Sequence, residues 1–128
     1  MQGVMAKYRP HALVIQLGAD SLCHDKLGQF NLSLRGHGSC LKYMLGYGLP
    51  TVMLGGGGYT IENVARCWAY ETGIALGEEL EGSIPKNDYY YQRYGFEQKI
   101  HFPVKMLEDK NTTDELNEIR RKAYEHIR

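Results

Sequence analysis

The chain has 128 residues, with 15 Lys and Arg against 15 Asp and Glu, so its formal net charge is zero. That length is one domain's worth, and the even charge gives no basic excess of the kind that direct nucleic-acid binding uses. No apolar run approaches the ~20 residues of a membrane span, "MQGVMAKYRP" lacks the apolar core of a signal peptide, and three cysteines without CxxC spacing read as free thiols in a reducing compartment.

In chain order, "MQGVMAKY" reads as the last turns of a helix stopped by Pro10. "ALVIQL" (12–17) is a mostly apolar, partly β-branched run, which fits a strand covered on both faces. "GADSLCHDKLGQFNLS" follows with little periodicity and reads as a long loop. From Gly36 a helical spacing sets in, with Cys40, Leu41, Met44 and Leu45 on one face and a stop at Gly48 and "LP". "TVML" (51–54) is a second short buried strand. After "GGGGY", Thr60 is an N-cap, Glu62 lies in the first turn, and Ile61, Val64, Ala65, Trp68, Thr72 and Ala75 share a helical face. Residues 77–110, with "PKNDYYYQRYGFEQK", read as loop and short helical turns over the core. "TTDELNEIRRKAYEHI" closes the chain with a capping box, Thr112 and Glu115, and a stripe of Leu116, Ile119, Ala123 and Ile127.

Strand, helix, strand, helix defines an α/β arrangement with right-handed crossovers. Two strands do not make an independently stable parallel sheet, and each leaves an open hydrogen-bonding edge. The expectation is therefore the end of a larger α/β domain.

Ligands of open α/β sheets bind where loops leave the carboxyl ends of strands, and two such loops occur here, "GAD" and "GGGGY". The glycines fit neither phosphate-loop pattern, because GxxxxGK[ST] is absent and Thr60 and Ile61 break G-x-G-x-x-G. Asp20 reads either as an Asx-turn or cap, or as a carboxylate ligand for a zinc-type metal. Tyr59 reads either as a packed ring with its hydroxyl tied to backbone, or as a donor to a reacting carbonyl. His24 and His37 read as loop and helix-surface residues.

Together, "QLGADSL", "DKLGQFNLSLRGH" and "LPTVMLGGGGYTIENVARCWAYETG" closely resemble the C-terminal third of the zinc-dependent class I histone deacetylases. The resemblance covers nearly the whole chain from Tyr8 through "IPKNDYY", and "VIQLGAD" and "CLKYML" are similar to the histone deacetylase 8 type. It implies that residues 1–128 are the C-terminal portion of an arginase/deacetylase-like, parallel-sheet, three-layer catalytic domain. It also implies hydrolysis of N6-acetyl-lysine in substrates such as histone tails, with zinc (Zn2+) as cofactor and a nuclear or cytoplasmic location. By the same resemblance Asp20 matches a zinc-binding aspartate. Tyr59 matches the tyrosine that hydrogen-bonds the substrate carbonyl and stabilises the oxyanion, Gly57 a glycine lining the acetyl-lysine tunnel, and Leu27 a residue of its wall.

The same resemblance defines what these residues lack. No Asp is followed two positions later by His, and His11, His24, His37, His101 and His126 all stand alone, whereas the family carries an Asp-x-His ligand segment and an adjacent His pair. One carboxylate does not hold a catalytic zinc, which takes about three protein ligands, so the chain is expected to be inactive alone. Lys26 keeps one charge near the family's inositol-phosphate contact, but Glu62 stands where an arginine is expected, and the family's acidic tail is absent. The alternative is a truncated, non-catalytic paralogue that binds a corepressor or a full-length deacetylase. A third reading, amidohydrolysis of acetylated polyamines, is opposed by the class I wording of the glycine loop and "ARCWAYETG".

Overall fold

The computed structural model describes residues 1–80 and 82–127. The chain divides into two units, Met1–Ala12 with Met106–Arg128, and Leu13–Lys105. In the first, helix α1 (Gln2–Tyr8) ends at Arg9 in a left-handed conformation and packs with α4 (Thr113–Ile127). The capping box forms as expected: Glu115 N–H donates to Thr112 Oγ1 at 3.2 Å, and Thr112 N–H donates back to Glu115 Oε2 at 3.0 Å. The apolar stripe of α4 is a correction. Leu116 and Ile119 are exposed and α4 buries no residue, so its cap and its Glu118–Arg121–Glu125 ion pairs carry the helix more than packing does.

The second unit holds the site. Strand β1 (Leu13–Gln16) pairs in parallel with β2 (Thr51–Leu54), Leu13 opposite Thr51 and Gln16 opposite Leu54. Helix α2 (Leu34–Leu45) connects them, and α3 (Ile61–Leu76) follows β2 and packs on α2. The expectation that both strand faces are covered fails. Leu13 is buried, but Val14 and Val52, which face the other way, are 71% and 54% exposed, because β1 and β2 find cover on one side only among the described residues.

Three helical readings need adjusting. Helix α2 starts at Leu34, earlier than Gly36, because Ser33 Oγ accepts the Gly36 N–H at 3.0 Å and caps it. Its buried face is Leu34, His37, Gly38 and Leu41, which leaves Cys40 exposed. On α3 the buried residues are Asn63, Arg66, Cys67, Glu71 and Gly73, while Ile61 is exposed. The helix thus turns a largely polar stripe inward; of the apolar face read from the sequence, Val64 packs against the core while Ile61 lies exposed. Thr60 occupies the N-cap position, but its hydroxyl donates to the His24 carbonyl at 2.8 Å instead of capping.

The core gathers Ala19, Leu22, Cys23, Leu34, Cys67, Ile100 and Phe102. Residues 82–105 lie over it as loop and short helical turns, with Ile84 packed against it and 3-10 turns at Tyr91–Arg93 and Phe96–Gln98. Buried Arg66 organises that cover. It donates to the carbonyls of Lys99 and Gly95 at 2.8 and 2.7 Å, and its guanidinium lies 5.0 Å from the Tyr94 ring centroid. Among the described residues no helix is long and apolar enough to cross a membrane.

Candidate functional site

The site forms where β1 and β2 end side by side. Leu17 N–H donates to the Leu54 carbonyl at 2.9 Å, continuing the ladder, and Ala19 N–H donates to the Gly57 carbonyl at 2.7 Å. The chain then makes a 3-10 turn, Ala19–Ser21, that carries Asp20. Ala19 and Leu22, on either side, are buried in the core, so the carboxylate projects from an anchored turn.

The glycine run after β2 lies against this turn. A Cβ on Gly57 would stand 2.1 Å from Asp20 Oδ2, and Gly58 holds φ +147°, a conformation that L side chains rarely adopt. Asp20 and Gly57, both expected site residues, are therefore in direct apposition. The space beside Gly57 is taken by a side chain of this chain itself.

Asp25 was not singled out by the sequence, and it joins the two loops. Its Oδ1 accepts the N–H groups of Leu27 and Gly28 at 2.8 and 2.7 Å, and its Oδ2 accepts those of Tyr59 and Thr60 at 2.8 and 3.3 Å. One carboxylate thus fixes the backbone of two further expected site residues, Leu27 and Tyr59, whose side chains are exposed. The available signal was the Asp followed closely by Leu and Gly, the spacing of an Asx-turn. Burial pushes the Asp25 carboxyl up, but its four backbone donors outweigh this and hold it below the ordinary range. A depressed carboxyl stabilises above its unfolded value of about 3.9 and loses that contribution as pH falls through the folded value. Replacing Asp25 with Ala is expected to release the 57–60 segment from the 24–28 segment. Amide exchange at Tyr59 and Thr60 should rise at neutral pH, and acidification of the unaltered chain should reproduce the effect only below about pH 4. Unchanged exchange in Asp25→Ala would refute the linking role.

His37 corrects a further expectation. It is not a helix-surface residue but 8% exposed, and it pairs with Glu71, which is 1% exposed. His37 Nδ1 bonds Glu71 Oε1, His37 Nε2 lies 3.1 Å from the Gly18 carbonyl oxygen, and Cys67 Sγ lies 3.8 Å from Nδ1. The Glu71 hydrogen bond raises the His37 pKa above its ordinary value against the opposing effect of burial, with the Gly18 carbonyl and the Asp20 charge adding to the rise. His24 is the loop residue expected, bonded to the Pro103 carbonyl at 3.0 Å.

Among the described residues, His37, Cys67 and Glu71 form the cluster of three metal-ligating side chains, and Asp20 is not in it. Asp20 alone falls short of the about three protein ligands that a catalytic zinc takes, so these residues do not by themselves fit that ion.

Comparison with known proteins agrees with the motifs. The histone deacetylase domain model matches residues 1–75. The chain is 52% identical over 122 residues to a probable histone deacetylase 19 of Zea mays, covering 95% of this chain and 24% of that relative. It is 48% identical over 128 residues to a type-1 histone deacetylase 1 of Dictyostelium discoideum, covering all of this chain and 26% of the relative. A probable histone deacetylase 1-A of Xenopus laevis is 44% identical over the same length, with 26% of it covered. The parallel strands and their crossover helix define an α/β protein. The chain belongs to the histone deacetylase family, class I. These relatives lend no support to the finer likeness to the histone deacetylase 8 type. The chain spans about a quarter of the length of the curated relatives it matches.

Proposed function

We propose that residues 1–128 are the C-terminal portion of a class I catalytic domain, a three-layer parallel-sheet domain whose complete protein hydrolyses N6-acetyl-lysine in histone tails and other proteins with zinc as cofactor. The observation that carries this reading is the apposition of Asp20 and Gly57 at adjacent parallel strand ends, tied by the Ala19–Gly57 hydrogen bond at 2.7 Å, in a chain of this family. Asp20 would be one ligand of the metal. The hydroxyl of Tyr59, two residues beyond Gly57 on the segment that Asp25 fixes, would donate to the substrate carbonyl and stabilise the charge that develops there. Leu27, on the same Asp25 anchor, and Gly57 would border the acetyl-lysine chain. The remaining ligands and the proton-transferring histidines lie outside these residues, so the chain alone is inactive on this reading. Lys26 without an arginine at position 62 disfavours inositol-phosphate regulation, and the protein would work in the nucleus or cytoplasm, with a corepressor among its partners.

A second reading rests on the uncovered sheet face. Val14, Val52 and Leu54 lie exposed on one side of the strands, and an apolar face of this kind suits a non-catalytic paralogue that associates with a corepressor or a full-length deacetylase. The native product separates the two readings. Antibody against "EGSIPKNDYYYQRYGFEQK" should capture a protein much heavier than this chain that contains zinc and deacetylates a histone-tail peptide. Recovery of a product only the size of this chain, without activity, would favour the second reading. In the active protein, Tyr59→Phe is expected to lower kcat by about 10²–10³ with zinc content unchanged, the usual loss for one oxyanion donor. Wild-type turnover in that variant would remove Tyr59 from the chemistry, and unchanged zinc content in Asp20→Ala would remove Asp20 from the metal site.

A further inference from the structure

The strand end that delivers Asp20 is gripped at three consecutive residues. Trp68 Nε1–H donates to the Leu17 carbonyl at 2.8 Å, His37 Nε2 lies 3.1 Å from the Gly18 carbonyl oxygen, and Ala19 N–H donates to the Gly57 carbonyl at 2.7 Å. The first two contacts come from side chains on α3 and α2. Strand β1 ends at Gln16, and past the last ladder bond, from Leu17 N–H to the Leu54 carbonyl, these contacts hold the backbone.

The chemistry of His37 is set by its two neighbours. Nδ1 faces a carboxyl oxygen of Glu71, and Nε2 faces a carbonyl oxygen, which can only accept. The Gly18 contact is therefore a hydrogen bond only when Nε2 carries a proton, and Nδ1 shares a hydrogen bond with Glu71 whichever of the two holds that proton. Glu71 orients the ring, and the ring donates its Nε2–H to the Gly18 carbonyl, two residues before Asp20.

We propose that Glu71, His37 and Trp68 are positioning residues: through the Gly18 and Leu17 carbonyls they fix the turn that presents Asp20. The benefit to catalysis rests on the reading of Asp20 as a metal ligand, while the restraint itself does not. None of the three touches substrate; they act through the backbone. The Gly18 bond lies in a buried, low-dielectric setting, where a hydrogen bond is electrostatically stronger than in water.

The test is residue-resolved amide exchange on the full chain. Replacing the pair together, His37→Ile with Glu71→Leu, removes the grip on Gly18 without stranding a charge, a change that buried ion pairs commonly tolerate. Exchange at Ala19, Ser21 and Leu22 is expected to rise by about tenfold, the loss of one restraining hydrogen bond, while Leu41 on α2 and Cys67 on α3 stay protected. His37→Gln with Glu71→Leu places an N–H donor near Gly18 again and should return much of the protection, which a merely space-filling role would not predict. Unchanged exchange at 19–22, or an equal rise throughout the chain, would overturn the proposal. Should the variants not fold, the unaltered chain still decides. A slowly exchanging His37 ring proton at Nε2 with proximity to Gly18 is expected in its nitrogen-resolved spectrum, and a rapidly exchanging ring overturns the grip. Failure of the metal reading shows separately, as unchanged zinc in the Asp20→Ala protein, and leaves the exchange result standing.

Discussion

His37→Ile is expected to cost about 3–5 kcal/mol of stability at pH 7, more than Glu71→Leu, although each removes one half of the same buried pair. The asymmetry comes from what the stranded partner can do. A buried charge without a partner neutralises where it can. An ordinary histidine, near pKa 6.5, gives up its proton at pH 7 at almost no cost, and neutral His37 can still donate through Nε2 to Gly18. An ordinary glutamate near 4.3 must take up a proton against about 3.7 kcal/mol at pH 7. Glu71, 1% exposed and with Oε2 already without a partner in the described structure, has no other recourse. Native stabilities of about 5–15 kcal/mol leave little margin for that loss.

The unaltered protein should also respond to pH in a way that His37→Ile does not. In the unaltered protein the Glu71 bond, supported by the Gly18 carbonyl and the Asp20 charge and opposed by burial, raises the His37 pKa. The groups facing the ring are Glu71 and Cys67 from α3 and Asp20 from the turn after β1. A raised histidine contributes its full stabilisation below its unfolded value of about 6.5 and loses it as pH rises through the folded value. His37→Ile has no ring to titrate, so its stability should not fall through that window and the deficit narrows as pH rises. Urea titrations at about pH 6 and 8 decide it. A His37→Ile deficit under about 1 kcal/mol at pH 7, or one independent of pH, would mean that His37 does not carry the buried pair.

The sequence shows best what depends on local chemistry. β2 falls where "TVML" ends in glycine, and the capping box of Thr112 and Glu115 forms in place. Asp20 and Gly57 are singled out through the family resemblance, since by themselves a loop Asp and a glycine run read as a cap and a tight turn, and the structure brings the two together. The inward face of α3 is hidden for a physical reason. Asn63, Arg66 and Glu71 are buried because each finds a partner far along the chain: the Gly95 and Lys99 carbonyls for Arg66, and His37 for Glu71. A scan for apolar period has no view of such pairings, so it selects Ile61 and Trp68, which lie on the outer side or its margin. Asp25 is hidden in the same way, since half of its hydrogen bonds go to residues 34 and 35 positions away. His37 needed both kinds of information, a helical register and a distant carboxylate.

Gly57→Ala should separate stability from function in the complete protein. The added Cβ would stand 2.1 Å from Asp20 Oδ2 and 2.7 Å from its Cγ, distances at which something must move. What it meets is the end of a side chain, not backbone, so Asp20 can rotate away at about 0.5–1.5 kcal/mol, the cost of a strained rotamer. The fold should therefore survive, with a small drop in urea midpoint. The displaced carboxylate, by contrast, is the proposed metal ligand, and misplacing a catalytic group by about 1 Å can cost about 10² in rate. Turnover is expected to fall by that factor or more, with a parallel loss of bound zinc. A double-mutant cycle identifies the cause. In an Asp20→Ala background the clashing atoms are gone, so Gly57→Ala should then add almost nothing to the loss of stability, leaving a coupling of about 0.5–1.5 kcal/mol between the two positions. Additive effects would show that Gly57 acts on some other part of the site, and full turnover in Gly57→Ala would show that this apposition is not what holds the metal-binding carboxylate in place.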